Sequence, residues 1–186
     1  MKMTRNKSIA LFALLVLLMA ATRSHHFDSL THLPDASLAA FLLAGIYLPL
    51  AAFPALLLVA GLADYSAINY AGVSDWCFSP AYWFLIPTYA VMWYAGRFYA
   101  ARHSQSWSGL VLFAATALLA ISAAFAISSG SFYLFSGRFA EMGALQYAGS
   151  VAKYYGPYLI GAFLYLSIAA CVQIAATTLS RHSAYA

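Results

Sequence analysis

The chain has 186 residues, of which 64% are hydrophobic and only 8% are charged. Soluble domains carry roughly 25% charged residues, so the composition excludes a water-soluble globular protein and indicates an integral membrane protein. We expect one domain covering residues 1–186. The net charge of +4 does not indicate nucleic-acid binding, because no basic run is interleaved with aromatic residues. The sequence has no Walker motif, which excludes hydrolysis of ATP by the chain itself.

Hydropathy predicts an all-α bundle of six membrane-spanning helices, since a helical span needs ~20 apolar residues. In chain order, the predicted spans are Ser8–Thr22, Ala36–Leu50, Ala52–Ile68, Pro80–Ala101, Ser108–Ser128 and Tyr158–Leu179. The second and third share one apolar stretch, divided by Pro49 and Pro54, and one kinked helix is the alternative. We favour two helices, because a single one would be ~50 Å long against a hydrocarbon core of ~30 Å.

The distribution of charge supports six spans through the positive-inside rule. Six basic residues fall on one side: Lys2, Arg5, Lys7, Arg97, Arg102 and Arg181. The other side receives the basic residues Arg23, Arg138 and Lys153 and all the acidic ones, Asp28, Asp35, Asp64, Asp75 and Glu141. We therefore predict that both termini are cytoplasmic. The alternative for the first span is a cleaved signal peptide, given its basic start and apolar core.

Three connections on the outer side carry most of the polar and aromatic groups: Arg23–Ser37, Asp64–Pro80 and Gly130–Tyr158. They predict a binding cavity open to that side. The histidines near His25 match no metal-ligand spacing, so a solvated loop is the alternative to a metal site. For the tyrosines, the alternative to a binding role is that many serve as interfacial anchors. Asp64 directly follows an apolar run, at a depth where ionisable groups pair or line a water-filled cavity.

The stretch "SDWCFSP" places Cys77 just before the fourth span, where we expect Ser79 to be the N-cap and Pro80 the first helical residue. Cys171 lies thirteen residues into the sixth span, roughly 20 Å from its outer end. A disulfide between the two is not expected, because bridged Cα atoms lie within about 7 Å. We interpret Cys171 as a small packing residue.

The thiol of Cys77 is a soft ligand. One thiolate cannot enclose a free ion, but it can complete the coordination of a metal held in a macrocycle, either haem iron or corrin cobalt. A buried, half-hydrophobic cysteine is the alternative.

Two segments resemble the BtuM family of predicted vitamin B12 transporters, which are relatives of the S-components of energy-coupling factor (ECF) transporters. They are "SDWCFSPAYWFLIPTYAVMWYAGR", Ser74–Arg97, and "HHFDSLTHLPDASLAAFLLAGIY", His25–Tyr47. The resemblance implies an S-component-like bundle in a bacterial inner membrane. It also implies that cobalamin, as transported ligand, enters a pocket open to the periplasm, where Cys77 becomes an axial ligand of cobalt.

From this resemblance we expect primarily a transporter, with removal of the cyanide of cyanocobalamin as an activity of Cys77. We expect the amide fringe of the corrin to meet hydrogen-bonding side chains of Asp64, Tyr82, His25 and Tyr155. One departure concerns the partner: S-components that dock onto a shared ECF module commonly carry an AxxxA-like motif on the first helix. Here that helix reads "SIALFALLVLLMAAT", without the motif, so the need for an ECF module stays open.

Two other functions remain alternatives at this stage. One is a haem-binding membrane redox protein, since Cys and His are haem ligands, although the predicted spans contain no histidine. The other is a structural or accessory membrane protein without a ligand.

Overall fold

The computed structural model describes residues 3–23, 33–104 and 106–183, and the elements formed by these residues are all helical. The α-helices are α1 (Arg5–Arg23), α2 (Ser37–Tyr47), α3 (Ala52–Tyr70), α4 (Leu85–Arg102), α5 (Trp107–Phe135), α6 (Ala144–Ala152) and α7 (Tyr155–Ser183). Two short 3₁₀ turns, Asp75–Cys77 and Pro80–Phe84, precede α4. The prediction of an all-α protein is confirmed.

Four helices of the described residues are long and apolar enough to cross a membrane: α1, α3, α5 and the part Tyr155–Thr178 of α7. The prediction of a membrane protein agrees with this. The other two predicted spans differ in length or composition from these four. Helix α4 has 18 residues and contains two arginines, and α2 has only 11.

Helix α2 is shorter than predicted because Pro49 ends it early. Leu48, the residue before this proline, has an extended backbone with φ −105° and ψ 154°, as expected for a residue that precedes proline. At 1.5 Å per residue, α2 is ~16 Å long. Ten of its residues are buried, so this short helix forms the centre of the bundle.

The core is formed where α2 crosses α4. A Cβ atom on Gly45 would overlap the carbonyl oxygen of Trp93, and one on Gly96 would overlap that of Leu42. The two backbones therefore touch at glycines on both helices. Nearby, the ring of Phe41 stacks on Tyr89 with centroids 4.3 Å apart. This crossing fixes the position of α4 and of the turns that lead into it.

The connection predicted to begin at Gly130 begins later. Helix α5 continues to Phe135, and Gly137 just after its C-cap has a φ of 71°, the left-handed conformation that commonly terminates a helix. Helix α6 then occupies the middle of the segment, and α7 starts at Tyr155. The fifth and sixth predicted helices are thus correct in type and too short.

Candidate functional site

A buried ion pair joins the end of α1 to α3. Arg23 is the last residue of α1 and is 3% exposed. Its Nε donates to Asp64 Oδ1 at 2.6 Å, and its Nη2 donates to Asp64 Oδ2 at 2.8 Å. This bidentate geometry is the strongest arrangement of a guanidinium and a carboxylate. Asp64 lies within α3, not after it, since the helix continues to Tyr70.

Arg23 also contacts α2 and α4. Its Nη1 donates to Ser37 Oγ at 2.8 Å and to Tyr89 Oη at 2.6 Å. The Ser37 hydroxyl in turn donates to Asp35 Oδ1 at 2.7 Å. All three guanidinium nitrogens therefore have acceptors, which offsets the cost of removing a cation from water.

Tyr82 extends this cluster to the turn before α4. Its hydroxyl donates to Asp64 Oδ2 at 2.7 Å, so two of the predicted site residues lie in direct contact. We call Arg23, Ser37, Asp64, Tyr82 and Tyr89 the Arg23 network. It connects α1, α2, α3, α4 and the turn Pro80–Phe84, all at one end of the bundle.

Cys77 lies on the first 3₁₀ turn at this end, and its side chain is outside the described part of the structure. The turn is capped by Ser74, whose Oγ accepts from the Trp76 amide at 3.2 Å. Each neighbour of Cys77 makes a ring contact, and both are about half exposed: the Arg138 guanidinium carbon lies 3.8 Å from the centroid of the Trp76 ring, and the Phe78 ring lies 4.7 Å from that of Tyr82. Through Phe78 and Tyr82, the backbone at Cys77 is connected to the Arg23 network.

Ser79 occupies the N-cap position and Pro80 the first position, as expected, but the element that they begin is a 3₁₀ turn and the Ser79 side chain makes no capping hydrogen bond. In this turn the Tyr82 amide donates to the Ser79 carbonyl oxygen at 2.8 Å. That backbone bond uses an amide that a cap would need. The Ser79 Oγ is buried, without a hydrogen-bond partner among the described residues. A buried hydroxyl that keeps its hydrogen-bonding capacity therefore lies two residues from Cys77.

The segment between α5 and α7 is stabilised by its own aromatic side chains. Tyr133 Oη donates to the Met142 carbonyl oxygen at 2.8 Å, and Tyr147 Oη donates to that of Ser129 at 2.9 Å. The two tyrosine rings lie 4.8 Å apart. Burial raises the pKa of the Tyr147 phenol, so this group remains a neutral donor at physiological pH. These tyrosines fold α6 onto α5.

The remaining predicted residues lie elsewhere or outside the described residues. Tyr155 begins α7, where its hydroxyl lies 2.7 Å from Ser122 Oγ of α5. His25 is outside the described part of the chain, and the residues inside it contain no group of three His, Cys, Asp or Glu that could hold a metal ion. Cys171 is exposed on α7, so the interpretation of this residue as a packed cysteine is wrong.

No family model matches the sequence, and no curated protein matches it significantly.

Sequence reasoning missed Arg23, Ser37 and Tyr89. Arg23 was assigned to an outer connection as one of three cations among the acidic residues. A signal was present, because Arg23 and Asp64 each end a long apolar run and are predicted at the same depth. Charges at membrane depth tend to pair, which would have suggested this contact.

Proposed function

We propose that the chain binds cobalamin at the Cys77 end of the bundle and mediates its uptake across a bacterial inner membrane. The observation that carries the proposal is the position of Cys77 on a turn whose backbone is connected to the Arg23 network through Phe78 and Tyr82. A metal ligand supplied by a single side chain needs such support, because ligand position decides coordination geometry. The resemblance of Ser74–Arg97 to the BtuM family supports the identity of the ligand.

The chemistry follows from the ligands of cobalt. Cobalt(III) in cyanocobalamin carries cyanide on one face and a tethered benzimidazole on the other. The Cys77 thiolate replaces one of them and donates electron density to the metal. If it replaces the benzimidazole, it lies opposite the cyanide and weakens that bond. Cyanide then leaves with the bonding electron pair, so cobalt keeps its oxidation state.

The amide fringe of the corrin requires acceptors and donors near the turn. Asp64 accepts one bond on Oδ1 and two on Oδ2, and a carboxylate has about four acceptor positions. One position therefore remains for an amide N–H of the ligand. The Ser79 hydroxyl is a second candidate contact, and His25 and Tyr155 remain proposed contacts from the neighbouring segments.

We further propose six spans with both termini in the cytoplasm. The turn Pro80–Phe84 adds to α4, and at rises of about 2.0 and 1.5 Å per residue the two together reach ~37 Å. Helix α2 is too short to cross alone. Irregular backbone at membrane depth is tolerated where it is buried in protein, as at Ala36 and Leu48 on either side of α2, whereas Pro49 and Leu50 are exposed.

The cobalt contact is tested by absorbance spectroscopy on purified protein loaded with cyanocobalamin. We expect a shifted corrin spectrum and loss of cyanide for the wild type, and neither for Cys77→Ser. Cys171→Ser is the matched control and should behave as the wild type. Identical unshifted spectra for the wild type and Cys77→Ser would overturn the ligation, and a Soret band in the protein as purified would favour haem.

Uptake is tested by growth of a strain that depends on external vitamin B12 and lacks its own importer. We expect the chain to restore growth. Repeating the test with and without a co-expressed ECF module shows whether that partner is needed. Failure in both settings would contradict transport without affecting the spectroscopic result.

A further inference from the structure

A cavity of about 430 Å³ opens at the opposite end of the bundle from Cys77. Helix α4 separates the two ends, and its 18 residues span ~27 Å. The ends of α2 and α4, the start of α5 and the second half of α7 line the cavity. The residues used below are Tyr47, Tyr99, His103, Trp107, Phe113 and Gln173, and we call the space the Trp107 cavity.

The size of the Trp107 cavity suits a small molecule. Ligand pockets commonly measure about 300–1,000 Å³, and this cavity lies near the lower limit. Cobalamin, a macrocycle with a tethered nucleotide, is too large for it. The cavity is therefore not a second position for the proposed cargo.

The lining indicates a neutral ligand. The described residues around the cavity include no Asp, Glu, Lys or Arg, and their polar groups are hydroxyls, a carboxamide and an imidazole. A charged ligand would lose its hydration there without gaining an opposite charge. A neutral molecule with hydrogen-bonding edges would lose much less.

The aromatic residues indicate a flat ligand. The Tyr99 ring lies 5.0 Å from Phe113 and 5.4 Å from His103, both in inclined arrangements. Trp107 is 81% exposed where α5 begins. A planar ring that stacks on this indole would gain both apolar burial and a favourable ring geometry.

Two side chains provide hydrogen bonds for such a ring. Tyr99 Oη lies 2.9 Å from His103 Nδ1, which leaves Nε2 as the imidazole nitrogen for a ligand. The carboxamide of Gln173, half-buried on α7, provides both a donor and an acceptor. A heteroaromatic edge that carries a donor and an acceptor matches this pair.

We propose that the Trp107 cavity binds a neutral, planar heteroaromatic molecule of the size of a purine or a benzimidazole. This site is separate from the one at Cys77 and does not depend on the identity of the cargo. The ligand stacks on Trp107 and bonds to His103 and Gln173.

The test is calorimetric titration of the full chain in lipid nanodiscs with adenine and, separately, with benzimidazole, both neutral at pH 7.5. We expect saturable binding of at least one probe. Gln173→Leu should weaken it roughly three- to tenfold, as expected for one hydrogen bond, and Ala170→Trp, at the cavity wall, should abolish it. Cys77→Ser and Tyr94→Phe, which alters an exposed tyrosine of α4, should leave affinity unchanged.

Three results would overturn the proposal. One is the absence of binding for both probes. Another is equal affinity in the wild type and Gln173→Leu, which remains informative if Ala170→Trp does not fold. The third is displacement of the bound probe by dodecanol at a matched concentration, which would make the cavity a site for lipid chains.

Discussion

The two ends of the bundle differ in whether their polar side chains have hydrogen-bond partners inside the protein. At the Cys77 end, every guanidinium nitrogen of Arg23 and both oxygens of Asp64 have partners inside the protein. At the other end, an imidazole and a carboxamide line an open cavity of about 430 Å³. Buried charges need internal partners, whereas polar groups that line an open cavity can form hydrogen bonds with a ligand. The first arrangement stabilises the fold and leaves only one carboxylate position and the Ser79 hydroxyl unused, whereas the second leaves an imidazole nitrogen and a carboxamide for a ligand.

Removing the carboxylate should give the largest effect. Asp64→Ala leaves the Arg23 guanidinium buried without its counter-charge, which we expect to lower the free energy of unfolding by about 3–5 kcal/mol. Thermal unfolding in detergent measures this. Asp75→Ala, at an exposed carboxylate, is the control and should cost less than about 0.5 kcal/mol. Equal stability of the two variants would contradict a structural role for the pair.

Removing one hydroxyl separates the turn from the rest of the Arg23 network. Tyr82→Phe deletes the bond to Asp64 but keeps the ion pair, and bonds to charged groups contribute about 1.5–3 kcal/mol. We expect a loss in that range, together with faster hydrogen exchange at the Phe78 amide. Tyr70→Phe alters a tyrosine that is 83% exposed and should change neither quantity. Unchanged exchange in Tyr82→Phe would show that the turn does not depend on the network.

The smallest effect is expected at the cavity. Tyr99→Phe removes the hydrogen bond to His103, and we expect the free energy of unfolding to fall by about 0.5–1.5 kcal/mol. Thermal unfolding of this variant beside Tyr94→Phe gives the comparison. A decrease in the free energy of unfolding as large as that of Asp64→Ala would contradict the difference that we describe between the two ends.

Hydropathy and the positions of single residues predicted much of this arrangement. The apolar runs located the helices, and Asp64 and Tyr82 were both selected as site residues. Their mutual contact was not predictable, because it depends on how α3 packs against the turn after Cys77. The end of α2 could have been placed correctly, since Pro49 restricts the residue before it.

The misassignments have a common physical cause. Arg23 was assigned to an outer connection, and Ser79 was expected to begin the fourth helix as its N-cap, because local patterns favour those roles. A carboxylate from α3 binds Arg23, and Ser79 keeps the N-cap position, but of a 3₁₀ turn and without a side-chain hydrogen bond. Cys171 is the opposite case. Its small apolar neighbours in the sequence suggested a packed environment, but the residue is exposed.

The crossing of α2 and α4 through Gly45 and Gly96 has a mechanical consequence. Where two backbones touch, neither helix can slide or rotate against the other without atomic overlap, because packed interiors resist compression. The two helices therefore behave as one rigid unit inside the bundle. Any relative motion of helices within the bundle must therefore be made by those around this pair, α1 and α3 on one side or α5 and α7 on the other.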